Sequence, residues 1–214
     1  MNLVFLGPAG SGKGTQAKRL EADYRITQIS TGDLLRNAVR EGTELGKQAE
    51  PLMREGRLVP DDLVIGLIEE RLARGDIENG ILFDGFPRTL PQAEALDAAL
   101  TRLGLKMDKV ISLEVPEEIL VDRVTGRRSC PVCGSVYHVR TRPPKVEGRC
   151  DLDGTELIQR SDDTAEKLEK RLEVFRTEIP KVKEYYRKKG LLAEVDGTGN
   201  PEEVYERIRQ AVES

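Results

Sequence analysis

Asn2-Leu3-Val4-Phe5-Leu6, followed by Gly7-Pro8-Ala9-Gly10-Ser11-Gly12-Lys13-Gly14-Thr15, decides how this chain is built. The first five residues form a short apolar run of the kind found in a strand buried on both faces. From Gly12 onward, KGTQAKRLEADY reads as a helix. Between them lies a loop almost free of side chains. Its backbone N–H groups can turn inward and wrap a polyphosphate at the positive end of the following helix. Lys13 adds a point charge for the outer phosphates, and the spacing G-x4-G-K is met from Gly7 to Lys13. Gly14 stands where Ser or Thr is usual, and Thr15 comes one place later. Either Thr15 supplies the hydroxyl near Mg²⁺, or the metal is held mainly through water and phosphate.

The remaining sequence extends this strand–loop–helix unit into an α/β alternation. Further strands are expected at 27–30, 81–84, 110–115 and 191–195, with helices between them, which implies a parallel five-stranded sheet covered by helices. Thr43 opens a helix ending at Gly56. Pro60-Asp61 opens another ending at Gly75, and Thr89 a third running to Leu103. Pro116 and Pro201 start two more. The stretch 164–189 is helical in pattern but contains Pro180, which predicts a kink or break. Two regions interrupt the alternation. Residues 31–59 insert a pair of helices where one crossover is normal. Residues 126–163 are rich in Gly, Pro, Arg and Cys and lack a helical period, so they form a small insert with its own stabilisation.

Composition narrows the class. The chain has 214 residues, 34% of them charged, and a net charge of −4, which argues against a general nucleic-acid binder. No apolar run approaches the ~18 residues of a membrane span. The N-terminal apolar run is too short for a signal peptide and lacks a basic flank, so a cytoplasmic protein with reduced thiols is expected.

Its three cysteines then need another purpose. Cys130-x2-Cys133, sixteen intervening residues, then Cys150-x2-Asp153 is the arrangement of a structural zinc site. Asp153 is the unusual member, but His138, the only histidine, sits at no zinc-ribbon spacing and is expected on the ribbon surface. Three plain buried cysteines are the simpler alternative. A catalytic thiol lacks a base nearby in sequence. Four protein donors would close the site to substrate and make the metal a staple for a segment too small to hold a core.

Asp84 ends an apolar strand (Ile81-Leu82-Phe83-Asp84), where phosphate-loop proteins hold Mg²⁺ or its waters. Gly85-Phe86-Pro87-Arg88 follows and carries Arg88 to the sheet edge where ligands bind in open α/β folds. Arg36, Arg123, Arg127, Arg160 and Arg171 fall in or beside the irregular segments. Phosphoryl transfer needs cations around the moving group and little covalent chemistry, which fits the absence of a histidine catalyst from the core.

GPAGSGKGTQA (7–17), ISTGDLLR (29–36), LFDGFPRTLPQA (82–93), VDRVTGRR (121–128), PPKVEG (143–148) and VDGTG (195–199) together resemble the adenylate kinase family in its long-insert bacterial form. They run in family order over nearly the whole chain, and Gly14-Thr15 is that family's own ending of the loop. The resemblance implies Mg-ATP + AMP ⇌ 2 ADP, balancing cellular adenine nucleotides, on a P-loop NTPase-like fold. It implies a core at 1–29, 60–125 and 164–214, a helical AMP-binding domain at 30–59, and a zinc-stabilised lid at 126–163. By motif, Gly10, Ser11, Gly12, Lys13, Gly14 and Thr15 would cradle the ATP phosphates. Arg123, Val136, Tyr137 and Gly199 would border ATP. Thr31, Arg36, Arg57, Leu58, Val59, Gly85, Phe86, Pro87, Arg88 and Gln92 would hold AMP, with Gln92 on the adenine edge. Lys13, Arg88, Arg127, Arg160 and Arg171 would serve the transfer, the last two also bordering AMP. Asp84, with Asp33 behind it, would orient hydrated Mg²⁺, and Asp162 and Asp163 would order the lid hinge. Some members replace the lid cysteines by a polar set; this chain resembles the zinc-bearing kind, with Zn²⁺ on Cys130, Cys133, Cys150 and Asp153. Family habit suggests a monomer without nucleic-acid or membrane partners. The alternatives are a kinase for UMP/CMP or GMP and, from other classes, a phosphate-loop switch or a zinc-ribbon nucleic-acid module. The last two leave ISTGDLLR and DGFPRT unexplained.

Overall fold

A computed structural model describes all of residues 1–214. The elements run β1 (Asn2–Leu6), α1 (Lys13–Tyr24), β2 (Thr27–Ser30), α2 (Thr31–Glu41), α3 (Glu44–Glu55), α4 (Asp61–Ala73), β3 (Ile81–Asp84), α5 (Leu90–Arg102) and β4 (Lys109–Glu114). They continue with α6 (Glu117–Thr125), β5 (Arg127–Ser129), β6 (Val136–His138), α7 (Ala165–Lys188), β7 (Leu192–Asp196) and α8 (Pro201–Glu213). No helix is long and apolar enough to cross a membrane.

The main sheet has five parallel strands in the order β2-β3-β1-β4-β7. β1 lies at its centre because every residue of NLVFL is buried. Val4 and Leu6 face one apolar layer with α2–α5 and α7; Leu3 and Phe5 face the other, with α1 and α8. A strand covered on both sides gains from burying apolar groups at every position, which is why it reads as an unbroken run. The parallel pairing brings the carboxyl ends of β1, β2 and β3 to one edge, on either side of which the chain switches direction. The loops after Leu6, Ser30 and Asp84 therefore open on one crevice.

Both ends of β4 and of β7 are shifted by one residue from expectation, and hydrogen bonds account for one end of each. The Leu191 N–H donates to the Tyr186 carbonyl and closes α7, so β7 starts at Leu192. Val115 lies outside β4, whose last carbonyl, on Glu114, accepts from Gly197 N–H. The expected break at Pro180 is absent, and α7 is continuous over 24 residues. Pro180 removes the bond to the Arg176 carbonyl, but both residues lie on the exposed face, where water can serve that carbonyl. Leu168, Leu172, Ile179, Val182 and Tyr186 meanwhile bury the opposite face and hold the helix together.

The 126–163 segment rises from α6 and returns into α7. Its β5–β6 hairpin is antiparallel and is extended by bridges Ser129–Ile158, His138–Arg142 and Arg149–Glu156. It has a small core of Cys130, Tyr137, Cys150 and Leu157. His138 is not on the ribbon surface, as expected, but buried at its base. Its Nε2 lies 3.0 Å from the Asp122 carbonyl, and Nδ1 accepts from the Arg140 and Thr141 N–H groups. Both nitrogens are thus used in the neutral tautomer protonated on Nε2, and burial and nearby arginines push its pKa down. A Cβ on Gly126 would stand 2.2 Å from that ring, so only glycine fits where α6 meets the segment. The ring thereby seals the junction between stem and hairpin.

Candidate active site

The phosphate loop is built at the carboxyl end of β1. Gly7, Gly10 and Gly12 have φ of +149°, +84° and +97°, which L side chains rarely adopt. A Cβ at Gly10 would also reach Val124 of α6 within 2.9 Å. Ala9 packs with Leu120 and Val124 of α6 and Leu168 and Leu172 of α7, so the loop shares a core with the stem of the 126–163 segment. No side chain caps α1 and no acid lies in its first turn, which leaves its positive end open to an anion. The Lys13 Nζ donates to the Gly7 and Pro8 carbonyls at 2.7 and 2.9 Å, folding over the loop. Ser11 is buried, whereas Gly14 and Thr15 are half-buried at the helix start. A Cβ at Gly14 would sit 3.8 Å from the Asp84 carboxylate, so the bare backbone here faces the acid that ends β3.

Around this loop the structure gathers cations from five separate elements. Lys13 comes from α1, Arg36 from α2, Arg88 from the β3–α5 loop and Arg127 from β5. Arg171 comes from α7, and Arg160 lies just before it. Loss of solvation, opposed by Asp84 and reinforced by Arg88, Arg171 and Arg127, pulls the Lys13 ammonium down to about 8. Loss of solvation and neighbouring guanidiniums likewise bring Arg88 and Arg160 down to about 10, still charged at neutral pH. Three arginines have partners: Arg36 donates to Asp33 at 2.6 Å, Arg171 to Asp162 at 2.8 Å, and Arg127 through Nε to Asp163 at 2.8 Å. Asp163 is wholly buried. Lys13, Arg88 and Arg160 bond to no carboxylate, so their charge is available to a ligand. Arg123 bridges the Gly10 and Gly197 carbonyls at 3.5 and 3.4 Å, linking the loop to the turn that bears Gly199.

The acids balance this field unequally. Burial raises the Asp84 carboxyl, Asp33 adds to the rise, and Lys13 and Arg88 oppose it; Gln28 donates to it at 3.2 Å. Burial would also raise Asp33, but Arg36, the Ser30 hydroxyl and Arg160 outweigh it and hold that carboxyl low. Asp84 and Asp33 thus lie beside the loop and feel one another's charge, an oxygen-rich pair suited to the waters of a hard cation.

A second cavity, open to solvent, is lined by Arg88 on one wall. Thr31, Arg36, Arg57, Leu58, Val59, Gly85, Arg88, Gln92 and Arg171 all line it, as the sequence led one to expect. Phe86 does not: its ring is buried in the main core beside Phe83. Pro87 is buried too, and neither it nor Arg160 lines the cavity. Leu35, Met53 and Val64 supply apolar walls that the motifs did not name. Asp61 is also missed by sequence reading. It accepts from Gln92 Nε2 at 2.7 Å and Thr89 Oγ1 at 2.9 Å, while Gln92 Oε1 accepts from Arg88 N–H at 2.8 Å. Gln92 therefore has one amide hydrogen left for a ligand. Only a link across some 30 residues of sequence, between the starts of α4 and α5, could have revealed Asp61.

In the 126–163 segment, one donor atom each from Cys130, Cys133, Cys150 and Asp153 lies within 4.8 Å of the other three. The Cys133 and Cys150 sulfurs are 3.5 Å apart, and Cys130 Sγ is 3.3 Å from Asp153 Oδ2. Ligands of a tetrahedral zinc ion are separated by ~3.5–3.8 Å, so the set fits one Zn²⁺. His138 lies outside it. The Tyr137 hydroxyl accepts from Asp151 N–H at 2.8 Å and lies 3.5 Å from Cys150 Sγ. Its side chain thus serves the cluster, which leaves only its backbone and the half-buried Val136 for a nucleotide.

Residues 5–191 match the family model described as adenylate kinase. The chain is 54% identical over 213 residues to the adenylate kinase of Archaeoglobus fulgidus, covering 100% of this chain and 98% of that protein. It is 50% identical to that of Carboxydothermus hydrogenoformans, covering all of both chains. It is 52% identical to that of Thermodesulfovibrio yellowstonii, covering 97% of each.

Removing a buried partner leaves its counter-ion uncompensated, at a cost of about 3–5 kcal/mol. Asp163→Ala, which strands Arg127, is expected to lower unfolding stability by an amount near that range in urea titrations. A change below about 1 kcal/mol would show that water replaces the carboxylate freely.

Proposed function

The chain belongs to the adenylate kinase family, and from that premise we propose how its residues divide the work of Mg-ATP + AMP ⇌ 2 ADP. The protein is a phosphotransferase of the nucleoside monophosphate kinase class. The family match and its relatives lend nothing to a UMP/CMP or GMP kinase. The observation that carries the division of roles is the convergence of Lys13, Arg88, Arg160 and the paired arginines between the phosphate loop and the second cavity.

In the transfer, an oxygen of the AMP α-phosphate forms a bond to the ATP γ-phosphorus. The bond to the β-phosphate oxygen breaks, and ADP leaves. The attacking oxygen is already ionised, so no base is needed; the only histidine, at the base of the 126–163 segment, plays no part. Catalysis is then positioning and charge. Gly10 to Thr15 cradle the ATP phosphates, with Lys13 on the outer ones. Arg88 and Arg36 hold the AMP phosphate; Arg127, Arg160 and Arg171 surround the moving group. Arg123, Val136, Gly199 and the Tyr137 backbone border ATP. Thr31, Arg57, Leu58, Val59, Gly85 and Gln92 enclose the AMP nucleoside. Mg²⁺ arriving with ATP would be held through water by Asp84 and Asp33 and would supply positive charge to the transferring phosphates.

Residues 30–59 and 126–163 act as covers over AMP and ATP respectively, on a core formed by the rest. Closing both would expel water that otherwise hydrolyses ATP, and would hold the arginines around the moving group. Zn²⁺ on Cys130, Cys133, Cys150 and Asp153 would staple a cover whose own core is four side chains.

Three outcomes test this reading. Lys13→Met should lower kcat by on the order of 10²-fold or more while leaving the fold intact by circular dichroism. In the same ADP-release assay, AMP should be preferred over GMP, CMP and UMP; wild-type turnover in the variant would remove the role given to Lys13. The second outcome is a pH effect. Bound phosphate raises the Lys13 pKa from about 8 in the free protein. Below that value Lys13 is charged free or bound, and ATP affinity is flat; as pH rises through it, binding must first take up a proton and weakens. Calorimetry in buffers of different ionisation heat should find little proton uptake near pH 7 and close to one proton near pH 9, lost in Lys13→Met. Equal uptake at both pH values contradicts the assignment. Third, stripping zinc with a chelator, or Cys130→Ser, should lower the melting temperature far more than kcat at moderate temperature. Identical melting with and without metal would dismiss the staple.

A further inference from the structure

The turn bearing two of the four metal donors, Cys130-Pro131-Val132-Cys133-Gly134, is held from within. Gly134 N–H donates to the Cys130 carbonyl, Cys130 N–H to the Ser135 carbonyl, and Cys133 N–H to Cys130 Sγ. The Pro131 and Gly134 carbonyls stay outside this network and accept instead from other parts of the molecule. Arg40 Nη1, on α2, donates to Pro131 O at 3.2 Å, and Lys18 Nζ, on α1, donates to Gly134 O at 3.2 Å. Arg40 is aimed by its Nη2, which donates to Asn37 Oδ1 at 3.1 Å. Neither cation forms an ion pair, although acids outnumber bases in this chain by 38 to 34. Both are committed to peptide carbonyls of one five-residue turn.

We infer that Lys18 and Arg40 are positioning residues of the transfer, forming a two-point latch for the 126–163 cover on carbonyls that the metal-held turn presents. The inference rests on the reading of that segment as a cover. α1 starts at the phosphate loop and α2 starts at Thr31 in the second cavity, so the two donors report on the two nucleotide sites. One turn reaches both only when the cover, the core and the α2–α3 insert are drawn together. The latch therefore adds its energy to the state in which both sites are closed and the arginines surround the moving phosphoryl group. A metal on Cys130 and Cys133 would stiffen the turn that presents the two carbonyls, and so would contribute to closure as well as to stability. Lys18 and Arg40 lie outside the set that touches substrate, so their loss changes how often the site is assembled and not the chemistry within it.

The test uses the zinc-loaded protein with a donor–acceptor dye pair at the exposed positions Val146 and Leu103, attached without cysteine chemistry. Distances are read with and without AMP plus a non-hydrolysable ATP analogue, and kinetics are measured on undyed protein. Lys18→Met and Arg40→Met should each lower the closed fraction and raise KM for both ATP and AMP about two- to fivefold, with kcat not reduced, as for loss of an exposed charged contact. Lys18→Arg and Arg40→Lys, which keep a donor in reach, should restore most of the closed fraction. After chelation, wild type and Met variants should converge on the same reduced closed fraction. A double Met variant that closes and binds like wild type overturns the latch while leaving the cover reading intact. A loss confined to kcat also overturns it. A wild type whose dye distance ignores nucleotides overturns the cover reading and the latch together.

Discussion

Holding several positive charges around one small volume is the constraint on which the rest of this structure depends. Loss of solvation first, and the charge of neighbouring guanidiniums second, displace the pKa values of Lys13, Arg88 and Arg160 downward. Two charges a few ångströms apart repel by several kcal/mol in a partly desolvated cleft. The chain meets this by taking the cations from different elements and giving some of them acids. Asp33, Asp162 and Asp163 neutralise Arg36, Arg171 and Arg127, all on or beside the two inserts. The cations nearest the phosphate loop bond to no carboxylate. Arg36, Arg171 and Arg127 are thus charge-balanced in place, while Lys13, Arg88 and Arg160 keep their excess positive charge for the ligand.

The sheet is what makes that arrangement affordable in space. Parallel pairing around a fully buried β1 lines up the loops that bear Gly7, Thr31 and Gly85 on one edge. The phosphate loop is then tied to the stem of the 126–163 segment, because Ala9 packs with Leu120, Val124, Leu168 and Leu172. Arg123, on the same stem, reaches the Gly10 and Gly197 carbonyls. A shift in α6 or α7 is consequently felt at the phosphate loop through packed side chains, without a separate connecting element. His138 against Gly126 stiffens the far end of that stem. The 126–163 segment therefore stands on a stem packed into the site itself.

Much of this was legible in the sequence because its causes are local. Buried strands announce themselves by unbroken apolar runs, and helix starts by Thr43, Thr89, Thr164 and Asn200, each of which caps its helix through its side chain. The donor set of the metal cluster was readable from spacing, since a turn of Cys-x2-Cys can present both sulfurs to one point. What failed was set by contacts distant in the chain. Pro180 does not interrupt α7, because the buried face of that helix outweighs one lost bond on its wet side. Nothing near His138 in sequence foretells that Asp122 and the bare backbone of Gly126 will enclose it. Asp61 reads as an ordinary helix opener until α5 brings Thr89 and Gln92 onto it. Phe86 and Tyr137 were expected at the nucleotides, but their rings fill cores.

Those two residues expose a general limit of reading sites from motifs. A motif marks where the chain must pass, and the side chain at that point can serve either the ligand or the scaffold. Phe86 sits between Gly85, whose carbonyl accepts from Thr31 and Arg88, and Arg88 itself. The ring anchors the loop in the core so that the polar atoms on either side keep their places. Tyr137 does the same for the candidate metal site, with its hydroxyl against Cys150 and its backbone in β6. In both cases precision at a polar site is obtained from an aromatic ring packed in a core beside it. A substitution that kept every polar contact but shrank either ring would loosen the site through its anchor, because a cavity left behind in a packed core is only partly refilled.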